Sequence, residues 1–558
     1  MTYVVAEPQM MAVLADDAER IGSAISAASA AAARLTSDLP AAAADEVSEA
    51  IAQLFGEYGQ EYQAIATEVE AFHRQFHQAL ATAKNAYAQA EAANVVALQE
   101  ALEAPIAPTQ TPKAAGIPPF PANEVSLFPG VTGVPIPSKV QIDLANGLYV
   151  RSTGILQALF TPQEGYPWTG VKSLPFDKSV GLGTTIFENT IYDLIHNSGK
   201  SVTVVGGSQS AVIASQVMRD LASGSSIFGA NPARADQLNF VLFGNEASPN
   251  GGMFSRFPNL SLPSLGLTFG GSTPADTIYP TAIYTLEYDG FASFPRYPLN
   301  IIADLNALAG IVYVHPTYLD LTPEQINNAI PLPTSPGYSG VTSYYMIRTE
   351  NLPLLEPLRA IPVIGDPLAN LVQPALKVIV NLGYGDPAHG FSTSYADVLT
   401  PFGLFPDVSL AEVADALGAG IRQGIHDFTN DLQAIFAQPF TLPSLSLPSF
   451  AMPSLDLGAT LAAFPSPMTL VNTAASIIST DYAVLLPIAD VAFSMITTVP
   501  VYLGQLFVEQ LLQGSLINAI GYPLAAVVGL GSIAGGIELF TIANALISNI
   551  SDIHTLIS

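Results

Sequence analysis

Residues 1–96 carry two stripes of apolar side chains at alternating three- and four-residue steps, the spacing of an amphipathic helix. The first stripe runs from Pro8 to about Leu35 and ends at Leu39-Pro40, and the second runs from Val47 to Tyr87. Two long helices of this kind cannot bury both apolar faces against each other. The pattern therefore predicts an α-helical hairpin that docks another helical protein, with docking onto the rest of the chain as the alternative.

A Pro- and Ala-rich segment, residues 97–122, follows the predicted hairpin and has the composition of a linker. Beyond it, apolar runs typical of strands alternate with helical stretches. The strand-like runs are EVSLFPG, SVTVVGG, QLNFVLFG and TAIYTLEYDG, and the clearest helix is TTIFENTIYDLIHNSG. Such alternation is typical of a mostly parallel sheet covered by helices, so residues 123–435 are predicted to form an α/β domain.

The last part of the chain, residues 436–558, is strongly apolar and is predicted to be largely helical. Residues 491–508 and 510–537 contain no charged side chain, and these lengths approach a bilayer span. However, Pro500 and Pro523 interrupt the two stretches, and no Lys or Arg belt flanks them. We expect packed or surface-lying helices, acting as a lid or a membrane-contacting segment, rather than true spans.

Composition narrows the function further. Eighteen Lys and Arg residues against 46 Asp and Glu residues give a net charge of −28, which repels nucleic acids and anionic headgroups. Only 11% of residues are charged and 49% are hydrophobic, a balance that suits a lipid-rich setting. The absence of cysteine removes disulfides and thiol nucleophiles. The N-terminus lacks the pattern of a Sec-type signal peptide, so export would need another address.

The most informative chemical feature is GGSQS, which places Ser208 between the strand-like run SVTVVGG and a helical stretch. A serine on such an elbow has its hydroxyl lifted above the edge of a sheet, where a histidine can reach it. Ser208 is therefore a candidate nucleophile. A simple helix N-cap is the competing interpretation, and the motif departs from G-x-S-x-G by ending in Ser210.

A serine nucleophile needs a base and an acid that orients the base. Asp289 directly follows the strand-like AIYTLEY, and His315 lies in AGIVYVHPTYLDL. The order Ser208, Asp289, His315 is the one expected of an α/β-hydrolase. The alternatives are His389 in LGYGDPAHGF as the base, and Asp304 and Asp386 as the acid.

An acyl-transfer site also needs donors for the oxyanion. The backbone N–H of Gln209, directly after the nucleophile, is one candidate. The loop in SLFPGVTGVPIP supplies the other candidates, Thr132 and Gly133. Such a site requires neither a metal nor an organic cofactor. His73 and His77 share a helical face, but no third metal ligand accompanies them.

The opening MTYVVAEPQMMAVLADDAERIGSAISAASAAAA, together with the second stripe, resembles the PE domain of mycobacteria over about the first 95 residues. Pro8-Gln9 stands where that family has Pro-Glu, and Tyr87 and Glu91 resemble its Y-x-x-x-D/E secretion signal. The resemblance implies a PPE-type helical partner and a type VII secretion chaperone. It also implies export to the cell wall or cell surface.

Residues 123 to about 390 resemble the PE-PPE domain, a cutinase-like serine α/β-hydrolase module, in SLFPGVTGVPIP, GGSQS, GNEASPNGG and EYDGFASFPRYPLNIIADLNALAGIVYVHPTY. That family tolerates the terminal serine of the pentapeptide, and its acid and base map onto Asp289 and His315. The resemblance implies a secreted esterase or lipase that hydrolyses fatty acyl esters. The alternatives are a non-catalytic cell-surface interaction protein or antigen that keeps the scaffold, and an outer-membrane-associated protein.

Overall fold

A computed structural model describes residues 123–437 except Ala230, residues 467–557, and isolated positions between 23 and 63. The chain divides into two compact units, Met1–Pro105 and Ile106–Ser558. The predictions on Pro8, His73, His77, Tyr87, Glu91 and the linker concern residues outside the described ones.

In the first unit, the described positions between 23 and 37 and between 48 and 63 are helical, whereas Pro40 is not. The Ser29 hydroxyl donates to Gln63 Oε1 at 3.4 Å, and Gln63 Nε2 donates to the Ser29 carbonyl at 3.3 Å. A Cβ on Gly56 would lie 3.2 Å from the carbonyl oxygen of Ser37. Ser29 thus lies beside Gln63, and Ser37, further along the first segment, lies beside Gly56, which comes earlier in the second segment. Contacts in this order are those of two antiparallel helices.

The second unit is built on a mostly parallel sheet, as the sequence pattern predicts. The strands are β1 (Val125–Pro129), β2 (Ile155–Leu159), β3 (Val202–Gly207), β4 (Leu238–Phe243), β5 (Ser261–Leu262), β6 (Leu267–Thr268), β7 (Thr281–Leu286), β8 (Ile330–Pro331) and β9 (Thr342–Ile347). The order in the main sheet is β2-β1-β3-β4-β7-β9-β8, and among its described strands only the β8–β9 pair is antiparallel. Strands β5 and β6 form a separate two-stranded sheet. The four strand-like runs correspond to β1, β3, β4 and β7, whereas β2 and β9 were not predicted.

Helices cover both faces of this sheet. They are α1 (Lys139–Ala145), α2 (Phe176–Tyr192), α3 (Gln209–Ser223), α4 (Met253–Arg256), α5 (Ile301–Tyr313), α6 (Pro323–Asn327), α7 (Glu356–Arg359), α8 (Gly365–Leu382), α9 (Leu410–Ala437), α10 (Pro467–Leu512) and α11 (Leu516–Ile557). Val204 packs with Ile213 of α3 on one face, and Val205 packs with Tyr149 and Val314 on the other. Successive strand residues point to opposite faces, so a run buried on both sides is apolar throughout.

The helices α10 and α11 pack on the body of the unit. Val499 and Leu530 join Phe257 and Phe294 in one apolar cluster. Pro500 and Pro523 lie inside the continuous helices, so the expectation that they interrupt these stretches is wrong. An interior proline costs a helix about 3 kcal/mol or more, and each of these two helices nevertheless continues through it.

The opposite faces of α10 and α11 are open. Their exposed apolar side chains include Tyr482, Ile496, Leu512, Ile517 and Leu539, each at least 70% exposed. By length and composition alone, Asn472–Leu512 and Leu516–Ile553 could each cross a membrane. Both helices therefore have one face on the protein core and an apolar face without a cover among the described residues.

Candidate active site

The candidate nucleophile lies at the carboxyl end of β3, where α3 begins. Ser208 has φ 52° and ψ −129°, a strained conformation for a residue other than glycine. Its backbone N–H donates to the Phe243 carbonyl at 3.0 Å. Its hydroxyl makes no capping bond to the helix and contacts other side chains instead. The helix-cap interpretation of Ser208 therefore does not describe this side chain.

The residues around Ser208 explain the motif GGSQS. A Cβ on Gly207 would lie 2.1 Å from the Phe243 ring, and a Cβ on Gly206 would lie 2.9 Å from the Ser210 carbonyl oxygen. The Ser210 hydroxyl accepts from the Gly207 N–H and donates to the Gly207 carbonyl, each at 2.8 Å. The terminal serine of the pentapeptide thus stabilises the elbow through two bonds that a glycine cannot make.

Ser208, His315 and Asp289 form one connected series. His315 Nε2 lies 2.9 Å from Ser208 Oγ, and its Nδ1 lies 2.9 Å from both carboxyl oxygens of Asp289. His315 begins a 3₁₀ turn that is separated from the end of α5 by Val314 alone, and Asp289 lies in the loop after β7. The structure therefore brings together the three residues that the sequence places in this order.

Asp289 is fully buried and held from several sides. The backbone N–H groups of Phe291 and Ala292 donate to its Oδ1 at 2.9 and 3.2 Å. The Tyr318 hydroxyl donates to its Oδ2 at 2.8 Å and accepts from the Leu286 N–H at 2.9 Å. Tyr318 lies in the HPTY segment three residues after the histidine, and sequence reasoning gave it no role. These bonds fix the carboxylate against the imidazole ring.

The electrostatics favour a protonatable His315. Burial alone would lower the pKa of His315, but the charge of Asp289, its hydrogen bond and the charge of Glu246 together raise that pKa above its ordinary value. The interactions that raise this pKa also stabilise the imidazolium that forms when a histidine takes up the proton of a serine.

Glu246 is a second neighbour of Ser208, and sequence reasoning missed it. The Ser208 hydroxyl lies within hydrogen-bond distance of Glu246 Oε1, at 3.1 Å, and the glutamate side chain is buried. Burial is the largest cause that raises the pKa of Glu246, to about 7. A signal was present in the sequence, because Glu246 follows β4, the strand beside β3, in the quoted segment GNEASPNGG.

The alternative base and acids lie elsewhere. His389 Nδ1 lies 3.2 Å from Asp386 Oδ1, so these two residues pair with each other. Asp304 lies in α5 and accepts a hydrogen bond from Ser532 of α11. Of the two other histidines of this unit with described side chains, His196 packs on Tyr192 and Phe228, and His426 is exposed on α9.

The candidate oxyanion donors divide into two groups. The Gly133 N–H donates to the Gln163 carbonyl at 2.7 Å, which commits it to its own loop and removes it from the candidates. Thr132 donates its hydroxyl to Gln209 Oε1 at 3.2 Å, which holds this loop beside the elbow. Across the described residues, the backbone N–H groups of Thr132 and Gln209 have no hydrogen-bond partner. They remain the candidates for this role.

No group of three or more His, Asp or Glu side chains suited to a metal ion occurs among the residues that the structure describes. At this edge of the sheet, four side chains form one series of hydrogen bonds, in the order Asp289, His315, Ser208 and Glu246. The arrangement can remove a proton from Ser208 and return it to a leaving group.

Two family models match this chain, and several known proteins are similar to it. The model of the PE family matches residues 4–94, and that of the PE-PPE domain matches residues 153–385. Three relatives come from Mycobacterium tuberculosis. The PPE family protein PPE28 is 49% identical over 78% of this chain and 68% of its own length. Esterase PE16 is 44% identical over 75% of this chain and 76% of its own length. The PE family protein PE3 is 41% identical over 80% and 91%.

The chain therefore belongs to the PE family of mycobacterial proteins and carries a PE-PPE domain. The PE-PPE match begins at residue 153, whereas β1 of the same sheet begins at Val125. The structural unit thus extends beyond the matched segment, and at its other end it includes α10 and α11.

Proposed function

We propose that this protein is a serine hydrolase of carboxylic esters, an esterase or lipase of the α/β-hydrolase class. The observation that carries the proposal is the series from Ser208 Oγ through His315 to Asp289, with 2.9 Å at each contact. Its position at the carboxyl ends of parallel strands is where α/β enzymes bind their substrates. The relative named Esterase PE16 supports the same reaction class.

In the proposed mechanism, His315 Nε2 takes the proton of Ser208 while Oγ attacks the ester carbonyl carbon. Asp289 holds the proton on Nδ1 and stabilises the imidazolium. The N–H groups of Gln209 and Thr132 stabilise the negative oxygen of the tetrahedral intermediate. His315 then gives its proton to the departing alcohol, and a water molecule releases the acyl group by the same steps in reverse.

The surroundings of His315 favour an apolar acyl group. The Phe291 ring lies edge-on to the imidazole with 5.0 Å between centroids, and Trp168 lies 6.4 Å from Phe291. Both aromatic rings pack against the apolar cluster that contains Val499 and Leu530. A fatty acyl chain beside these rings would replace water on an apolar surface, at about 25 cal/mol for each Å² buried.

The decisive experiment compares Ser208→Ala with Ser223→Ala, a serine at the exposed far end of the same helix. We expect Ser208→Ala to lose about 10⁴-fold or more of the kcat for p-nitrophenyl butyrate, and to lose labelling by a fluorophosphonate. Ser223→Ala should keep both. Unchanged hydrolysis in Ser208→Ala would exclude the mechanism, and an unlabelled, inactive wild type would favour a non-catalytic surface protein.

The N-terminal hairpin is proposed to pair with a PPE-type helical protein and to direct type VII secretion to the cell wall or cell surface. The PE match and the antiparallel contacts at Ser29 and Gln63 support this proposal. Tyr87→Ala in the full chain should remove the protein from the cell-surface fraction while leaving its cytoplasmic level intact. Unchanged surface exposure would contradict the role of this signal.

The open apolar faces of α10 and α11 are proposed to contact lipid. The net charge of −28 favours an uncharged lipid surface over an anionic one. A variant of the full chain with Tyr482→Ser, Phe493→Ser and Ile496→Ser should float less with phosphatidylcholine vesicles than the wild type, because all three side chains are at least 60% exposed. Equal flotation would remove the membrane role of this face.

A further inference from the structure

The Ser208 hydroxyl has two neighbours that compete for one hydrogen atom. His315 Nε2 lies 2.9 Å from Oγ, and Glu246 Oε1 lies 3.1 Å from it. A hydroxyl can donate only one hydrogen bond, and an ionised carboxylate can only accept. When Glu246 is ionised, the serine proton can therefore point to the carboxylate instead of the base.

A protonated Glu246 removes this competition. Its own O–H then donates to Ser208 Oγ, and the serine proton is left to His315 Nε2. The direction of the whole series becomes uniform, from Glu246 through Ser208 to His315. In this state the serine is aligned for transfer of its proton to the base.

We infer that Glu246 is a positioning residue whose protonated carboxyl group directs the hydroxyl of Ser208 toward His315. The inference rests on the proposed ester hydrolysis and adds a control on the nucleophile to it. When Glu246 loses its proton to solvent, Ser208 is no longer aligned toward His315. The serine hydroxyl is redirected to the carboxylate, and a second negative charge lies beside the oxygen that must attack.

Hydrogen bonds hold the backbone of the loop that carries Glu246. Its backbone carbonyl accepts from the Phe254 N–H at 3.1 Å. The preceding Asn245 donates from Nδ2 to the Thr273 hydroxyl at 2.7 Å and accepts from the Ala247 N–H at 3.0 Å. These bonds hold the loop after β4 on both sides of the glutamate, so its carboxyl group is preorganised against Ser208.

The charges around Glu246 leave its neutral form accessible. The groups that act on it are His315, from the turn after α5, and Asp289, from the loop after β7, and they act in opposite directions. Arg256 of the adjacent α4 is directed away, to the carbonyls of Phe294 and Thr400. Glu246 Oε2 is buried without a hydrogen-bond partner among the described residues. Burial therefore dominates, and it raises the pKa of Glu246 to about 7.

The consequence is an alkaline limit on activity. As the pH rises through the pKa of Glu246, about 7, the fraction of enzyme with an aligned serine falls tenfold for each further pH unit. At low pH, protonation of His315 removes the base. The two groups titrate as a coupled pair, so the wild type should show a bell-shaped profile of kcat/KM.

The test compares Glu246→Gln with Glu188→Gln in the full-length protein. A glutamine at position 246 keeps a donor for Ser208 and cannot ionise, so the alkaline limb should disappear. At pH 9, two units above a pKa of about 7, its kcat/KM should exceed that of the wild type by up to about 100-fold. Glu188 is a matched control, since it is also buried with a raised pKa, but it accepts from the Ile227 N–H.

The outcomes separate this inference from the reaction itself. An alkaline limb that persists in Glu246→Gln, or that disappears equally in Glu188→Gln, would overturn the role of Glu246 while Ser208→Ala still shows whether the serine is the nucleophile. If Glu246→Gln fails to fold, as judged by circular dichroism, the pH dependence of fluorophosphonate labelling of the wild type decides. Labelling that does not fall between pH 7 and 9 overturns the inference.

Discussion

Glu246 and Asp304 are buried carboxylic acids in two regions of the same unit. Glu246 lies at the candidate active site, and Asp304 lies where α5 meets α11. Each contacts one serine hydroxyl, Ser208 at 3.1 Å and Ser532 at 3.2 Å. Each also has one carboxyl oxygen without a partner among the described residues, Glu246 Oε2 and Asp304 Oδ1.

Burial raises both pKa values, that of Glu246 to about 7 and that of Asp304 to about 8. The difference lies in what the neighbouring serine does. Ser208 also contacts a histidine, so the proton on Glu246 affects the proposed reaction. Ser532 belongs to a helix that packs on the unit, so the proton on Asp304 affects stability. Under the proposed mechanism, similar burial has a catalytic consequence in one region and a structural one in the other.

The largest expected effect tests whether activity at the candidate active site depends on the orientation of His315. Asp289→Asn should lower kcat by about 10⁴-fold. The N–H groups of Phe291 and Ala292 keep the asparagine Oδ1 in place, so its NH₂ group faces His315 Nδ1. The histidine proton then moves to Nε2, which can no longer accept from Ser208.

The control for this prediction is Asp386→Asn, which alters the separate contact between Asp386 and His389. We expect a kcat close to that of the wild type. A comparable loss in both variants would show that the measured effect does not come from the tautomer of His315, and the rival pair would have to be reconsidered.

The predicted site residues that the structure brings together are those that a short segment of sequence indicates. Ser208 follows a β-branched run and two glycines, and Asp289 and His315 flank predicted elements in the expected order. Glu246 was missed because its role depends on β4 lying beside β3, a pairing between segments about 35 residues apart. The place of Glu246 after a predicted strand is visible in the sequence, but no local pattern shows that this strand lies beside β3.

The C-terminal region shows the same limit on a larger scale. Its apolar stretches identified helices, but the side that packs and the side that stays open depend on the partner surface around Phe257 and Phe294. The open face alone resembles a membrane segment, and the packed face alone resembles a core helix. Only the tertiary contact distinguishes the two faces.

The second effect tests the structural role of Asp304. Because the folded pKa, about 8, is above that of an unfolded aspartate, about 4, the folded state keeps a proton that the unfolded state has released. The contribution of Asp304 to the free energy of unfolding is therefore fully present below pH 4 and is lost as the pH rises to 8. The slope is roughly 1.4 kcal/mol of unfolding free energy for each pH unit.

Asp304→Asn should remove this slope, so the variant should gain stability over the wild type by a few kcal/mol between pH 5 and pH 8. Urea unfolding at both pH values measures the difference. Asp320→Asn, at an exposed position, is the control and should follow the wild type at both. Parallel behaviour of Asp304→Asn and the wild type would mean that Asp304 is not buried as a neutral acid.

The smallest effect tests how closely α11 packs on the rest of the unit. A Cβ on Gly529 would lie 2.8 Å from Phe257 Cζ and 2.9 Å from Pro298 Cβ, whereas a Cβ on Gly531 would have nothing within 4 Å. Gly529→Ala should therefore cost about 1–3 kcal/mol of unfolding free energy through overpacking. Gly531→Ala should instead stabilise the helix by up to about 1 kcal/mol. The two substitutions are chemically identical and two residues apart, so opposite signs in urea unfolding can come only from the packed and open faces of α11. Equal signs would mean that this helix does not rest on Phe257, and the burial that Asp304 shares with Glu246 would then have to be reconsidered.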